Sequence, residues 1–528
     1  MKVSVCTSVF VPLLAVLFLP TGFVAAQLTD VTQTPNALNA GIAKSYTQQI
    51  GVGQGNPQTP DSSMYIIARD PFRSIVRGRQ LFQRKFTHAQ GLGPRTNDGI
   101  GMIEKDGSLG AGLADSCAAC HGRPHGSAGA GGTVFTRPDS RDAPHLFGLG
   151  LVEMLADEIT QALRTTRSWA IFRAKQRNRP VSAALVAKGV NYGTIKAFPN
   201  GQVDTSGVHG VDPDLRVRPF FAEGSTISMR EFIVGALNAE MGMEAVDPLL
   251  LKASQGNDVT TPAGMKLTGS EDKIEAPVAK TVFDDPDADG VVNEVPTSIV
   301  DHLEFYLLNY FKPGTGESTS LTAHGRRTME RIGCTKCHVP DLVIDRDRRV
   351  ADTETAYDPG KNGFNGLFTS ATPLFSEIRD TPSLPTLKVP LKKAFVVKNI
   401  FADFKRHDLG PNFHELNFDG SVTKMFMTEP LWGVGSTAPY GHDGRSIDLK
   451  EVILRHGGEA QESRDAFARL SWMEKLAVTE FLRTLVIFPP PDTASSLDPA
   501  VPSTPGFPQM GHGSIRLNVL FNNPSIGE

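Results

Sequence analysis

The chain has 528 residues, which is long enough for two or three domains with hydrophobic cores of their own. Its formal net charge of -4 at pH 7 is mild and no basic run is present, so the composition argues against nucleic acid as a partner. Glycine (51 residues) and proline (37) are frequent, which favours short helices joined by long loops.

Residues 1–26 have the features of a secretory signal peptide. Lys2 precedes a mostly apolar run over residues 9–19, and small residues lead up to a cleavage site after Ala26. The apolar run is short for a membrane span. We therefore predict an exported protein whose mature chain has no membrane span, begins with a polar arm over residues 27–75 and, having lost Lys2, has a formal charge of -5 instead of -4.

A C-x-x-C-H motif occurs twice, at residues 117–121 and 334–338. Two thiols three positions apart can add across the two vinyl groups of a porphyrin, and the adjacent imidazole then lies beneath the iron as its fifth ligand. A zinc or redox C-x-x-C site with an incidental histidine is the alternative, but two complete copies favour haem. We predict two covalently bound haem c groups, held by Cys117, Cys120, His121, Cys334, Cys337 and His338.

The cysteine count agrees with this prediction. Five cysteines are present and Cys6 lies in the predicted leader, so the two motifs use the other four and leave none for a disulfide. By resemblance to bacterial c-type cytochromes, haem attachment of this kind takes place in the periplasm. We therefore expect a periplasmic protein.

An internal repeat surrounds the two motifs. A Gly-Arg pair precedes each motif, and a proline- and glycine-containing segment follows it, at residues 144–150 and 430–435. Residues 219–233 then align without a gap with residues 439–453, with five identities. Landmarks that recur in the same order indicate a duplicated unit rather than chance similarity of loops.

The repeat predicts a mainly α fold of two tandem cytochrome c-like haem domains, with long loops and few short strands. The first domain would cover residues 76–312, with an insertion over residues 151–218, and the second would cover residues 313–492. An amphipathic helix over residues 471–486 would close the second domain, and residues 493–528 would form a C-terminal strap.

Extending the repeat by three residues pairs Ala236 with His456. Both lie on segments with apolar residues at helical spacing, residues 228–238 and 448–456. A histidine there could reach an iron from the side opposite the motif histidine, whereas an alanine could not. We predict that the second haem has His338 and His456 as ligands and is closed, while the first is open. The alternative is a polar helix end at His456, followed by a Gly-Gly cap.

An acidic loop contains Asp285, Asp287 and Asp289, followed by a glycine. Carboxylates at alternate positions of a tight turn are typical of the start of a calcium loop. The glutamate that closes an EF-hand loop is absent, because its place is taken by Pro296. A shorter calcium site and a solvated linker are therefore both open. In either case the loop precedes a predicted helix over residues 298–311.

The stretch Pro439-Tyr440-Gly441-His442-Asp443-Gly444 resembles the P-Y-x-H-D-G signature of bacterial di-haem cytochrome c peroxidases and of the related enzyme that matures tryptophan tryptophylquinone. Other stretches are similar to the di-haem oxidoreductase family and occur in that family's order. These stretches are residues 82–86, 91–94, 142–153, 231–242 and 406–410.

The resemblance implies an oxidoreductase that reduces hydrogen peroxide at the N-terminal haem. Electrons would be relayed through the C-terminal haem from a small periplasmic electron-transfer protein, a cytochrome c or a cupredoxin. The family's acid catalyst lies in an acidic-Met-Gly segment, which here begins at Glu240, one helical turn beyond Ala236. A surface glutamate near a helix end is the alternative interpretation of Glu240.

The chain departs from this family in several places. The peroxidases mostly have a methionine where this chain has His456, and imidazole favours ferric iron and a lower reduction potential. Phe220 and Phe221 stand where relatives often have a tryptophan, so a tryptophan relay is not expected there. His125 and His145 could bind the open iron at rest, or hydrogen-bond a propionate or the backbone.

Two alternative functions stay open. One is oxygen- or peroxide-dependent oxidation of an organic or protein substrate, and the other is non-catalytic electron transfer.

Overall fold

The structure is a computed structural model that describes residues 46–93, 114–122, 128, 133–134, 141–310, 314–316, 318–357, 367–417 and 419–487. All of these fall in one unit of the chain, residues 36–528. The predicted leader and strap lie outside the described residues, as do His125 and the first part of the predicted arm. The predicted domain boundary between residues 312 and 313 stays a prediction.

The described residues contain twelve α-helices, one of which is the first motif itself. They are α1 (Tyr46–Ile50), α2 (Ser63–Arg69), α3 (Pro71–Gln83), α4 (Cys117–His121), α5 (Leu149–Arg177), α6 (Met229–Met241), α7 (Pro248–Ser254), α8 (Thr297–Asn309), α9 (Ser320–Arg331), α10 (Leu449–Arg455), α11 (Gln461–Arg469) and α12 (Trp472–Arg483). Helices were predicted over residues 228–238, 298–311, 448–456 and 471–486, and α6, α8, α10 and α12 confirm them with shifted ends.

The strands form small antiparallel sheets. They are β1 (Thr133–Val134), β2 (Arg141–Asp142), β3 (Val181–Ala187), β4 (Val190–Ala197), β5 (Val203–Asp204), β6 (Asp258–Thr260), β7 (Lys266–Thr268), β8 (Gly314–Thr315), β9 (Leu342–Ile344), β10 (Ala351–Tyr357), β11 (Leu367–Pro373), β12 (Phe375–Ile378), β13 (Leu387–Pro390), β14 (Phe395–Val397), β15 (Arg406–Asp408), β16 (Glu415–Leu416), β17 (Val422–Thr423), β18 (Met425–Met427) and β19 (Leu485–Val486). Among the described residues, only β3, β4 and β5 form a sheet of more than two strands.

The prediction of a mainly α fold with few short strands needs correction. The described residues contain nineteen strands beside twelve helices, so the fold is mixed. Most strands have only two to four residues, too few for an alternating apolar pattern to stand out from a loop in the sequence. Their pairing depends on backbone hydrogen bonds between segments that tertiary packing brings together.

The same helix crossing occurs once beside each motif. Helix α3 packs against α8 at Gly78, where a Cβ atom would overlap the carbonyl oxygen of His302. Helix α9 packs against α12 at Gly325, where a Cβ atom would overlap the carbonyl oxygen of Ala477. A side chain at either position would push the two backbones apart, so glycine permits the close approach.

A second glycine contact also repeats. Gly150 lies at the beginning of α5, with its Cα against the backbone of Leu308 at the end of α8. Gly435 lies in the corresponding segment after the second motif, against the backbone of Arg483 at the end of α12. The two halves of the chain therefore share two backbone contacts that the sequence repeat implies.

Local sequence explains where the repeated helices begin. Pro71 occupies the first position of α3, where a missing N–H costs nothing. Thr319 caps α9 and Ser471 caps α12, each with its side-chain oxygen accepting a hydrogen bond from a backbone N–H of the first turn. Such a cap contributes about 1 kcal/mol of helix stability.

The segment predicted as an insertion, residues 151–218, consists mainly of the long helix α5 and the β3–β4 hairpin. The buried side of α5 includes Leu155 and Leu163, each 0% exposed, and the hairpin packs against this helix. Tyr192 on β4 donates a hydrogen bond of 2.8 Å to the carbonyl oxygen of Asp403. The buried side of α5 and one face of the hairpin therefore belong to the main core.

A buried charge cluster lies between α6 and α8. Arg230 on α6 is 0% exposed and lies 2.9 Å from Asp301, 2.8 Å from Glu304 and 2.7 Å from Asp247. Three carboxyl groups around one guanidinium leave an excess of negative charge in a medium of low polarity. Burial raises the pKa of Glu304 to about 7, with Arg230 opposing the shift and Glu153 adding to it. The cluster fixes α6 on α8.

Within the residues that the structure describes, none of the helices combines the length and the apolar character that crossing a bilayer requires.

Candidate haem-binding cavity

The first motif forms one helical turn, α4. Ser116 caps it by accepting a hydrogen bond from the N–H of Ala119 (3.2 Å), so Cys117, Cys120 and His121 follow one another around a single turn. The Nδ1 atom of His121 lies 2.7 Å from the carbonyl oxygen of Pro144. A carbonyl oxygen only accepts, so Nδ1 carries the proton and Nε2 keeps its lone pair for a metal.

The second motif has the same chemistry on a different local geometry. Its first three residues form a 3₁₀ turn, Cys334–Lys336. The Nδ1 atom of His338 lies 3.0 Å from the carbonyl oxygen of Phe401, so Nε2 is again left for a metal. Burial lowers the pKa of His121 to about 4 and also lowers the pKa of His338. Both imidazoles are therefore neutral at pH 7, as iron ligation requires.

Both motifs line one continuous cavity of about 750 Å³. The wall near the first motif is apolar and includes Leu146, Phe147, Val152, Ile233, Leu303 and Leu307. The wall near the second motif comes from a separate hydrophobic cluster that includes Met329, Leu449, Phe467, Val478 and Leu482. Two thiols and an imidazole therefore open onto apolar walls at each end, and these residues fit a haem c group.

The segments that the sequence repeat aligns have the same structure. Phe220 pairs with Thr226 in an isolated antiparallel bridge, and Tyr440 pairs with Ser446 at the equivalent positions. In the first copy Ser228 caps α6, and the Glu231 side chain accepts from the N–H of Ile227 at 2.9 Å. In the second copy Asp448 caps α10, and Glu451 accepts from Ile447 at 3.0 Å. The duplication inferred from sequence is therefore present in the structure.

Ala236 and His456, which the repeat pairs, both line the cavity. His456 is the C-cap residue directly after α10, and its Nδ1 donates to the carbonyl oxygen of Val452 at 2.8 Å. Burial lowers the pKa of His456 to about 4, so it too is a neutral imidazole with Nε2 left for a metal. Its ring is also in edge contact with Phe413, at 5.2 Å between centroids.

The P-Y-x-H-D-G segment fixes the end of α10. Asp443 forms an ion pair with Arg455, the residue before His456, at 2.7 Å. The Arg455 guanidinium also lies over the Phe413 ring, 4.4 Å from its centroid. His442 stacks on Phe426 at 4.0 Å, and burial lowers its pKa to about 4. The signature therefore has a visible structural effect, which is to anchor the backbone that presents His456.

Glu240 lies in the last turn of α6, one turn beyond Ala236, and lines the cavity half-buried. Burial and the nearby Glu240 carboxylate together raise the pKa of Cys120 to about 11. The carboxyl group is therefore close to the first motif. This position is compatible with the predicted acid role, which stays a prediction.

His145 lines the cavity but has both ring nitrogens engaged. Its Nε2 donates to the carbonyl oxygen of Trp432 at 2.9 Å, and its Nδ1 accepts from the N–H of Phe147 at 3.3 Å. Because both ring nitrogens of His145 bind backbone groups, hydrogen bonding to the backbone is favoured over iron ligation for this residue.

The acidic loop brings its three carboxylates together. Carboxylate oxygens of Asp285, Asp287 and Asp289 lie within 4.8 Å of one another, and Asp287 forms a second such group with Glu244 and Glu294. Backbone N–H groups of the same loop also bind these carboxylates, for example Gly290 to Asp285 at 3.1 Å. The geometry is compatible with both the calcium and the linker interpretation.

The polar residues of the cavity that sequence reasoning missed include Arg141, His407 and Glu429. His407 lies 2.9 Å from Asp403 and 2.7 Å from Glu459. Burial opposes its charged form, but hydrogen bonds to Asp403 and Cys337 raise the pKa of His407 to about 11. The only sequence signal for it was its place in residues 406–410. No sequence signal indicated Arg141 or Glu429, because the residues that surround them are distant in sequence.

The comparison with protein families finds one match. The family described as "Di-haem oxidoreductase, putative peroxidase" matches residues 379–485, a segment that contains His456 but neither C-x-x-C-H motif. No curated protein matches the chain. The match covers 107 of the 528 residues, and over this segment the chain is similar to the di-haem oxidoreductase family.

Proposed function

We propose that the chain is a periplasmic di-haem c-type cytochrome of peroxidase type, which reduces hydrogen peroxide at the first motif with electrons relayed through the second. The observation that carries the proposal is the asymmetry of one shared cavity. Both C-x-x-C-H motifs line it, but only the second is accompanied by a histidine at the position that the repeat pairs with Ala236.

The cysteines have the role of covalent attachment in this proposal. Cys117 with Cys120, and Cys334 with Cys337, would each bind the two vinyl groups of one porphyrin. His121 and His338 would supply the fifth ligands through Nε2, since Nδ1 of each is bonded to a backbone carbonyl. When bound, each haem supplies an iron that exchanges single electrons and, where a ligand position is open, a place for a small oxidant.

The residues around the first site would control the oxidant and its protons. Ala236 lines the same cavity as His121, and its small side chain would leave a ligand position of the first iron open. Glu240, one helical turn further on, would carry a proton from one peroxide oxygen to the other while the bond between them breaks. The apolar wall excludes water and thereby strengthens every charge interaction inside the cavity.

The second site would receive electrons and stay closed. His338 and His456, both neutral and both with Nε2 left for a metal, would hold the iron of the second haem. The donor would be a small periplasmic cytochrome c or cupredoxin, and export would depend on the leader over residues 1–26. Calcium at Asp285, Asp287 and Asp289 is a secondary part of the proposal, supported by the convergence of these carboxylates.

The experiment that tests the proposal is electron paramagnetic resonance of the ferric holoprotein with and without cyanide. We expect one high-spin or ligand-exchangeable centre and one low-spin centre that cyanide leaves unchanged. Peroxide-dependent oxidation of a reduced cytochrome, measured beside oxygen uptake, then identifies the oxidant. Two low-spin centres that bind no small ligand in any redox state would refute the enzymatic proposal and leave an electron carrier.

A further inference from the structure

Glu429 follows β18 and lines the cavity, to which its side chain is exposed. Protein surrounds it on the other sides, so a cofactor that fills the cavity would remove it further from water. Within the described part of the chain its carboxyl group makes no hydrogen bond. A carboxyl group in this situation is either paired with a charge or holds a proton.

The charges that face Glu429 come from both halves of the chain. Arg141 on β2 is the cation, but it is already bound to Glu223 at 2.8 Å and to Glu415 at 2.7 Å. His442 lies 3.6 Å from Glu415 and is neutral, because burial lowers its pKa to about 4. The Arg141 guanidinium is thus already paired with two carboxylates, and Glu429 would be a third.

The protonation of Glu429 follows from this charge balance. Burial raises the pKa of Glu429 to about 7, Arg141 opposes the shift and Glu223 adds to it. The group therefore holds a proton below pH 7 and releases it just above. A carboxyl group with a pKa near the working pH can both give and take protons rapidly.

A route from Glu429 towards solvent begins at Glu223. Glu223 lines a separate surface pocket of about 390 Å³, together with Asp212, Arg218, Arg406 and Lys424. Its side chain is 20% exposed, and the Arg141 that it binds lines the inner cavity. The N–H of Met427 donates to the carbonyl oxygen of Ala222 at 2.8 Å, which holds the segment of Glu429 against the segment of Glu223.

The proposed reaction requires a residue that brings protons into the cavity. Reduction of one hydrogen peroxide to two water molecules consumes two electrons, which the donor protein supplies, and two protons. Glu240 can move a proton between the two peroxide oxygens, but that transfer adds none to the total. Both protons must therefore enter an apolar cavity from outside.

We propose that Glu429 is a proton-exchanging residue of this cavity, which is loaded from solvent on the Glu223 side and releases its proton inwards. The inference rests on the proposed peroxidase function. In each exchange the O–H bond of the Glu429 carboxylic acid breaks, the proton passes to the oxygen being reduced, and the carboxylate is then reprotonated by water in the surface pocket.

The test is Glu429→Gln in the holoprotein, because glutamine keeps the shape and cannot exchange the proton. Glu377→Gln is the matched control, since Glu377 is exposed, lies outside the lining of the cavity and is paired with Lys388 at 2.5 Å. Infrared difference spectra between pH 5 and pH 9 should show C=O bands of buried carboxylic acids, because the pKa of Glu304 is also raised to about 7, and Glu429→Gln should lose one band that the wild type and the control share. Identical bands in the wild type and in Glu429→Gln would overturn the proposal.

Peroxide turnover at pH 6 supplies the second readout. We expect Glu429→Gln to lower it by about tenfold to a hundredfold, with haem content unchanged and the control unaffected. Turnover equal to the wild type would also overturn the proposal. If the wild type itself does not turn over peroxide, the proposed function fails. In that case the pH dependence of the first haem's reduction potential tests the role of Glu429 separately. Glu429→Gln should make this potential less dependent on pH. An unchanged slope would refute the role of Glu429.

Discussion

The two halves of this chain are built alike up to the cavity and differ inside it. Each half has a glycine crossing between two helices, at Gly78 and at Gly325, and the same capped helix beginning after its motif. At the equivalent positions inside the cavity, one half has Ala236 and the other has His456. Duplication thus supplied two similar frames, and in the proposed function this single side chain leaves one site accessible and closes the other.

The halves also differ in how they orient the motif histidine. The carbonyl oxygen that accepts from His121 belongs to Pro144, a residue of the repeated segment after the first motif. The one that accepts from His338 belongs to Phe401, which lies outside the repeat. The same hydrogen bond to the histidine is therefore present in both halves, although the residues that accept it are not equivalent in the repeat.

The largest expected effect comes from removing the thiols of one motif. The double substitution of Cys117 and Cys120 by alanine should leave a protein with one covalent haem, and the same change at Cys334 and Cys337 should remove the other haem. Mass spectrometry of the denatured protein measures this. Ala119→Ser, inside the first motif, should leave both haems attached. Two haems retained in either double variant would contradict the assignment of the motifs.

Closing the open site should abolish catalysis without removing haem. Ala236→His places an imidazole where the second half has His456, so the high-spin ferric signal should disappear and peroxide turnover should fall by about a hundredfold or more. Ala236→Val serves as the control for bulk, because it fills space without ligating. A high-spin signal that survives in Ala236→His would show that this position does not face the iron.

Glu240→Gln should lower turnover by about 10²- to 10⁴-fold, the range over which general acid–base groups contribute. Haem content, the spin state of both irons and cyanide binding should stay as in the wild type, which separates a proton-transfer role from a structural one. Equal losses of turnover and of cyanide affinity would instead indicate that the substitution distorts α6.

The glycine crossings can be compared directly by stability. Gly78→Ala and Gly325→Ala each force a Cβ atom against a backbone carbonyl, and each should lower the free energy of unfolding by about 1–3 kcal/mol. Gly235→Ala, on α6 with no atom within 4 Å of the added Cβ, should leave stability unchanged or raise it by up to about 1 kcal/mol. Denaturant titration measures all three. If Gly325→Ala were neutral, the proposed close approach of α9 and α12 would be wrong.

The smallest expected effect concerns pH and the buried cluster of Arg230. The pKa of Glu304 is raised to about 7 in the folded protein, so its contribution to stability is fully present below the unfolded value near 4.5 and is lost as the pH rises through about 7. Glu304→Gln should remove this part of the pH dependence. The measurement is the difference in free energy of unfolding between variant and wild type from pH 5 to pH 8. A constant difference would contradict the shifted pKa.

Several parts of the fold could be predicted from sequence because their signals are local. Helical spacing and caps indicated α6, α8, α10 and α12, since side chains three and four positions apart lie on one face. The strands were underestimated because pairs such as β15 with β18 join segments of only three residues. The predicted insertion proved to hold α5 and a hairpin with one buried face, which its composition alone did not indicate.

The sequence by itself determined the two C-x-x-C-H motifs and the pairing of Ala236 with His456, from which the attachment chemistry and the asymmetry of the two sites are predicted. Cysteines three positions apart followed by histidine lie on one turn whatever surrounds them, and the ungapped repeat paired Ala236 with His456 without any structure. Only the tertiary structure decided that both motifs share one cavity, that Pro144 and Phe401 orient the histidines, and that Glu429 faces Arg141. The reason is that these contacts join residues far apart in the chain, and packing rather than local spacing sets their distances.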